Sequence, residues 1–136
     1  MELPAVLVAE DDDEVVAIIE DALSDGGFDV ATVATAEEGL ALIARRTDQY
    51  KALLTDINLQ GQMTGWELAK RAREVVPTFP VVYMTGDAAH EWPSQGVPES
   101  ILLQKPFAPA QAVTAITTLL NRSSLPPPDE QHSGQF

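Results

Sequence analysis

The stretch Val6-Leu7-Val8-Ala9-Glu10-Asp11-Asp12-Asp13-Glu14 decides the fold, because an apolar run breaks off directly into acids. Three later runs end in the same abrupt way. Ala52-Leu53-Leu54-Thr55 stops at Asp56, Val81-Val82-Tyr83-Met84 at Thr85, and Ile101-Leu102-Leu103-Gln104 at Lys105-Pro106. Short unbroken apolar runs of this kind read as strands buried on both faces. If all four lie parallel in one sheet, Glu10, Asp11, Asp56, Thr85 and Lys105 collect at one edge, where open α/β sheets take up ligands. Three carboxylates, a hydroxyl and a lysine there point to a divalent cation and phosphoryl chemistry.

Between these runs the apolar residues change to helical spacing. Residues 12–24 carry Val15, Val16, Ile18, Ile19, Ala22 and Leu23 at helical intervals, with Asp12 or Asp13 as cap and Gly26-Gly27 as stop. Residues 28–33 form the expected second strand. A helix beginning at Thr35 or Ala36 has Glu37-Glu38 in its first turn, Arg45-Arg46 in its last, and Leu40, Leu42 and Ile43 for its buried face. The third strand is expected over residues 50–55, followed by a loop, residues 58–64, with Gly61 and Gly65 as turn residues. Residues 66–76 read as helix. Residues 87–98 hold one or two helical turns at most, since Pro93, Gly96 and Pro98 forbid more. The fifth strand covers residues 100–104, and Pro109 opens a last helix with Val113, Ile116, Leu119 and Leu120 as its stripe. Five strands alternating with helices make βαβ units, a parallel sheet and right-handed crossovers.

The bulk numbers agree with one such domain. The chain has 136 residues and is 45% hydrophobic, enough for a core of its own. With 21 acids against 8 bases its net charge is -13, which repels nucleic acid and anionic membrane. A protein partner with a basic patch is compatible with that charge. No cysteine is present, which excludes disulfide and thiolate chemistry and suits the cytoplasm. No basic segment followed by an apolar stretch opens the chain, so no signal peptide is expected. No apolar run reaches the ~20 residues that span a bilayer. The expectation is therefore a cytoplasmic protein with neither nucleic acid nor membrane as partner. The domain is expected over residues 1–122, and residues 123–136, with Pro126-Pro127-Pro128, are expected to be a disordered tail.

The acidic pair after strand one, the aspartate ending strand three, Gly65 after its loop, the threonine ending strand four and Lys105-Pro106-Phe107 stand in order and at matching spacing. Together they resemble a response-regulator receiver domain of two-component signalling, over about residues 4–122. The resemblance implies the flavodoxin-like (βα)5 three-layer sandwich with strand order 2-1-3-4-5. It also implies that Asp56 is the phosphoacceptor. Asp11, Asp56 and the backbone carbonyl of Asn58 would hold Mg2+ or Mn2+, with Glu10 acting through a water. Thr85 and Lys105 would bind the phosphoryl group, Lys105 as a compact point charge. Asn58, Gly86 and Asp87 stand where the family tunes phosphoryl lifetime. Leu102 departs from the pattern, because many receivers carry Tyr or Phe there and use the ring as a switch.

The resulting expectation is a stand-alone receiver, catalysing only its own phosphorylation and dephosphorylation. A histidine kinase or histidine phosphotransfer protein would donate to Asp56 in a Mg-dependent step, and the signal would pass to an unknown downstream protein or end in a phosphate sink. A receiver cut from a hybrid kinase is the alternative. The rival from another class is a haloacid-dehalogenase-type Mg-dependent phosphohydrolase, which wants a second aspartate where Asn58 stands. A flavodoxin-like binding module is weaker still, because acids replace a phosphate-binding loop after strand one. Asp13 and Glu14 are assigned to the helix start, His90 and His132 to solvent, and Trp66 and Trp92 to packing.

Overall fold

The computed structural model describes residues 3–123. Its elements alternate throughout: β1 (Ala5–Ala9), α1 (Asp13–Asp25), β2 (Asp29–Val33), α2 (Ala36–Arg45), β3 (Tyr50–Asp56), α3 (Gly65–Val75), β4 (Val81–Thr85), a 3-10 turn (Ala89–Glu91), α4 (Trp92–Gln95), β5 (Ile101–Gln104) and α5 (Pro109–Ser123). The five strands are parallel in the order β2-β1-β3-β4-β5, the flavodoxin-like order expected from the resemblance. Because β1 lies inside the sheet and β3 steps over it, the chain reverses its direction of winding between them. That reversal opens a crevice at the carboxyl ends of β1 and β3.

Alternation along each strand sends neighbours to opposite faces. Leu7, Leu53, Val81 and Tyr83 pack with Ile43, Trp66 and Leu68 of α2 and α3 on one side. Val6, Val8, Leu54, Val82 and Met84 pack with Ile19, Leu23 and Ile116 of α1 and α5 on the other. Each such fully buried aliphatic side chain contributes about 1.5–3 kcal/mol relative to an exposed one. Caps fix where the helices begin. Asp12 accepts from the amides of Glu14 and Val15, Thr35 from Glu38, and Thr64 forms a reciprocal capping box with Glu67.

Several boundaries differ from the sequence reading by a residue. β3 runs on to Asp56, so the acceptor candidate is the last residue of the strand itself. α3 begins at Gly65, where the capping box starts it, β2 and β5 each start one residue later than expected, at Asp29 and Ile101, and the one or two turns expected after β4 are the 3-10 turn and the single-turn α4. Ile18, placed with the apolar residues of the first helix, is 54% exposed, because Ile19 and Leu23 take the positions facing the sheet. The expected tail lies outside the described residues, except that Ser123 still closes α5. No helix among the described residues is long and apolar enough to cross a membrane.

Candidate functional site

Register determines what meets at the crevice. Ala9 pairs with Thr55, Asp56 with Met84, and Thr85 with Gln104. Glu10, just past the first pair, thus stands beside Asp56, and Lys105, just past the end of β5, reaches across β4 to both carboxylates. One carboxylate oxygen from each of Glu10, Asp11 and Asp56 lies within 4.8 Å of the others. Glu10 is 2% exposed and Asp56 9%. Lys105 Nζ donates to Glu10 Oε1 at 2.9 Å and to Asp56 Oδ2 at 3.3 Å, so one ammonium joins residues 95 and 49 positions away. The Lys105–Pro106 peptide bond is cis.

The remaining bonds divide the work among these groups. Glu10 Oε2 accepts from the amides of Asp11 and Asp12 at 3.0 and 3.2 Å. Glu10 thereby shapes the turn that presents Asp11, and its second oxygen is given to the lysine. Asp56 Oδ1 accepts from the Ile57 amide at 2.7 Å. Thr85 Oγ1 accepts from the amides of Asp87 and Ala88 at 3.3 and 2.9 Å. These bonds use the hydroxyl as acceptor and leave its proton to donate. Asn58 Nδ2 donates to Asp87 Oδ1 at 3.2 Å, joining two of the residues assigned to phosphoryl lifetime, beside exposed Gly86. Gly65 sits so close to the Asp56 carbonyl that a Cβ would collide with it, so only glycine lets α3 start against the acceptor strand.

The electrostatics are those of an acidic site short of positive charge. Burial pushes the Glu10 carboxyl above the usual range; the Lys105 hydrogen bond pulls it down and Asp56 pushes it up again. Burial works to lower the Lys105 ammonium, but the bond to Glu10 and the charges of Asp56 and Glu10 outweigh it and leave the group above its ordinary value. An all-oxygen set that raises its own carboxyl suits a hard divalent cation such as Mg2+ or Mn2+.

Some assignments concern residues away from this cluster. Asp13 and Glu14 are exposed in the first turn of α1, and His90 has a 78% exposed side chain. His132 lies outside the described residues. Trp66 is buried against Tyr83, with ring centroids 4.6 Å apart, and the Trp92 indole N–H donates to Ser100 Oγ at 3.0 Å. Leu102 is partly buried and pairs in register with Tyr83.

Sequence reasoning missed three features. Tyr83 is fully buried, and its hydroxyl accepts from the Val97 amide at 3.1 Å, tying β4 to the loop after α4. Ile18, Val15, Ile19, Phe107 and Pro109 line an apolar groove of about 450 Å3 that runs up to Lys105. Glu37 reaches from α2 to the loop after Asp56. The Pro106-Phe107 pair beside the lysine and the surplus apolar residue at position 18 were the only signals in the sequence for the groove.

Comparison with known proteins agrees with this geometry. The model of the response regulator receiver domain matches residues 6–117. This chain belongs to the response regulator receiver domain family. The response regulator receiver protein CpdR of Brucella abortus is 32% identical over 118 residues, covering 85% of this chain and 95% of that protein. A response regulator receiver protein from Sinorhizobium medicae, solved by crystallography, superposes with a TM-score of 0.84 at 38% identity, covering 88% of this chain and 96% of the other. The DNA-binding transcriptional regulator NtrC of Salmonella typhimurium is 33% identical over 85% of this chain, which corresponds to 24% of that longer protein. The chain is therefore a phosphoryl-accepting receiver of two-component signalling, a signalling module and not a classical enzyme. Receivers of this family bind Mg2+ through an acidic pocket and interact with histidine kinases or phosphotransfer proteins. The phosphohydrolase alternative gains no support.

Proposed function

We propose that Asp56 is the phosphoacceptor of this receiver and that it takes its phosphoryl group from a phosphohistidine. The observation that carries this reading is Lys105, which bonds Asp56 and Glu10 at once inside a cluster of three carboxylates. A carboxylate nucleophile needs no general base. As its oxygen forms the new O–P bond, the donor's P–N bond breaks and the imidazole leaves with the electron pair. Lys105 already stands 3.3 Å from Asp56 Oδ2, in place to pair with the oxygens of the arriving phosphoryl group, and Thr85 has a hydroxyl proton to give to one of them. Catalysis is then positioning plus preorganised charge.

Asp11 and Asp56, with the Asn58 carbonyl, would hold Mg2+ or Mn2+, and Glu10 would act through a water while its two oxygens hold the Asp11 turn and the Lys105 ammonium. The cation supplies charge neutralisation between the phosphoryl group and the acceptor. The groove beside Lys105 is where the donor docks. Its apolar lining and exposed Ile18 adjoin α1, which contains five acids and no base, so the complementary partner is a helical surface with an apolar centre and a basic rim. Output passes to a downstream protein, in a cytoplasmic setting.

Intact-protein mass after incubation with acetyl phosphate and Mg2+, beside Asp56→Asn and an EDTA control, tests the assignment. A single metal-dependent phosphoryl gain that the variant loses is expected. A gain that survives in Asp56→Asn overturns it.

A further inference from the structure

The loop from Asn58 to Thr64 leaves the acceptor and returns to it. At its base the Gly65 amide donates to the Ile57 carbonyl at 2.9 Å, and Gly65 packs on the backbone of Asp56. At its far side it is held by α2, more than twenty residues earlier in the chain. Gln60 forms an isolated parallel bridge with Thr35, the N-cap of α2. Glu37, in the first turn of that helix, accepts from the amides of Gln62 and Met63 at 3.0 and 3.2 Å, both on Oε2. Gly61 bends the loop with φ of 95°, and a Cβ there would stand 2.8 Å from Glu37 Oε1. Leu59 and Met63 pack against the core beneath. A helix start is a favourable place for a carboxylate, and the Gln62 amide first, then the Glu37 amide itself and that of Met63, hold the Glu37 carboxyl below the usual range.

This brace lies outside the charged cluster, yet it holds the segment that begins with Asn58. We propose that Glu37 is a positioning residue of the acceptor site, setting its affinity for a divalent cation by fixing the loop that carries Asn58. The proposal rests on the acceptor reading above. Asn58 is exposed, and its side-chain bond to Asp87 reaches another surface residue, so the loop's attachment to α2 is what restrains its far side. Supporting groups around metal ligands matter in this way because they decide where a ligand atom waits before the ion arrives.

Isothermal titration with Mg2+ alone, at neutral pH, compares the native chain with Glu37→Ala, Glu37→Gln and Gly61→Ala. Glu37→Ala is expected to weaken Mg2+ binding about tenfold, with faster amide exchange at Gln62 and Met63. Glu37→Gln loses the charge but keeps an oxygen toward the loop, and should bind within about threefold of native. Gly61→Ala pushes the loop off the intact carboxylate and should weaken binding as Glu37→Ala does. Native affinity in Glu37→Ala with its loop amides exchanging faster overturns the proposal alone. A Glu37→Gln loss as large as that of Glu37→Ala also overturns it, since the lost charge and not the brace would then be responsible. An absence of Mg2+ binding in the native chain overturns the acceptor reading and this proposal with it.

Discussion

Replacing Lys105 with Met keeps the aliphatic length and removes the one cation in the cluster. With an effective dielectric constant near 20, its contacts at 2.9 and 3.3 Å correspond to gross attractions of about 6 and about 5 kcal/mol. Each pair of carboxylate oxygens, at 4.8 Å or less, repels by at least about 3.5 kcal/mol on the same scale. One lysine thus offsets much of the mutual repulsion of three acids. The net loss on removing it is far smaller than these gross figures. Glu10 can take up a proton, and the Lys105 side chain is 28% exposed, so the cost falls below the ~3–5 kcal/mol of a fully buried broken pair. About 1–3 kcal/mol is expected for the metal-free protein at neutral pH.

The sign of its pH dependence follows from Glu10. A carboxyl whose folded pKa lies above its unfolded value of 4.5 adds stability that is complete below that value and disappears as pH rises through the folded one. Without Lys105 the Glu10 carboxyl rises further, so the variant's deficit should be smaller near pH 5 than near pH 7.5. Lys105 itself titrates above its ordinary 10.5 and stays charged throughout this window. Urea unfolding at both pH values, with and without Mg2+, reads these quantities. Added Mg2+ should narrow the deficit at the higher pH, since ligand at 100 times Kd contributes about 2.7 kcal/mol and the more negative variant site binds it more tightly. A deficit equal at both pH values and indifferent to Mg2+ would refute the reasoning and assign the loss to packing.

Gly65→Ala forces a Cβ against the Asp56 carbonyl, and should cost about 1–3 kcal/mol in urea unfolding and slow phosphoryl uptake from acetyl phosphate. Asp12→Ala removes the α1 cap, whose oxygen accepts from Glu14 and Val15; a loss of about 1 kcal/mol is expected in the same assay. Tyr83→Phe leaves the buried Val97 amide without its acceptor and should cost about 1–2 kcal/mol, with amide exchange rising first across residues 96–100.

The strand ends were the most legible part of the chain, because each apolar run stops at a residue whose chemistry a core does not tolerate. Glu10, Asp11, Asp56, Thr85 and Lys105 could be placed together before any coordinates, since parallel strands put all their carboxyl ends on one edge. The α1 groove was less legible. Helical spacing marks Ile18 as apolar-compatible, but which apolar position faces the sheet depends on how α1 rolls against α5 and β2. Glu37 was invisible as a partner of the loop. Its local signal is that of any acid at a helix start, and the amides it binds lie 25 and 26 residues away. Backbone acceptors and donors leave no trace in side-chain spacing, so such a brace is read from structure alone.

Leu102 raised the question of how a receiver without the β5 aromatic connects its acceptor to its surface, and β4 supplies an arrangement that can do so. Tyr83 and Thr85 are two residues apart and project to the same face of the sheet. Thr85 holds the amides of Asp87 and Ala88, and Tyr83 holds the amide of Val97. One strand therefore grips both ends of the segment that contains the 3-10 turn and the one-turn α4. The Trp92–Ser100 bond and the Lys70–Gln95 bond, at 2.7 Å, fasten its outer surface. If the Thr85 oxygen moves toward a phosphoryl group on Asp56, its two amide bonds are strained first, while the tyrosine anchor stays in place because burial and the Trp66 ring confine it. The segment would then loosen from its leading end and pivot about Val97.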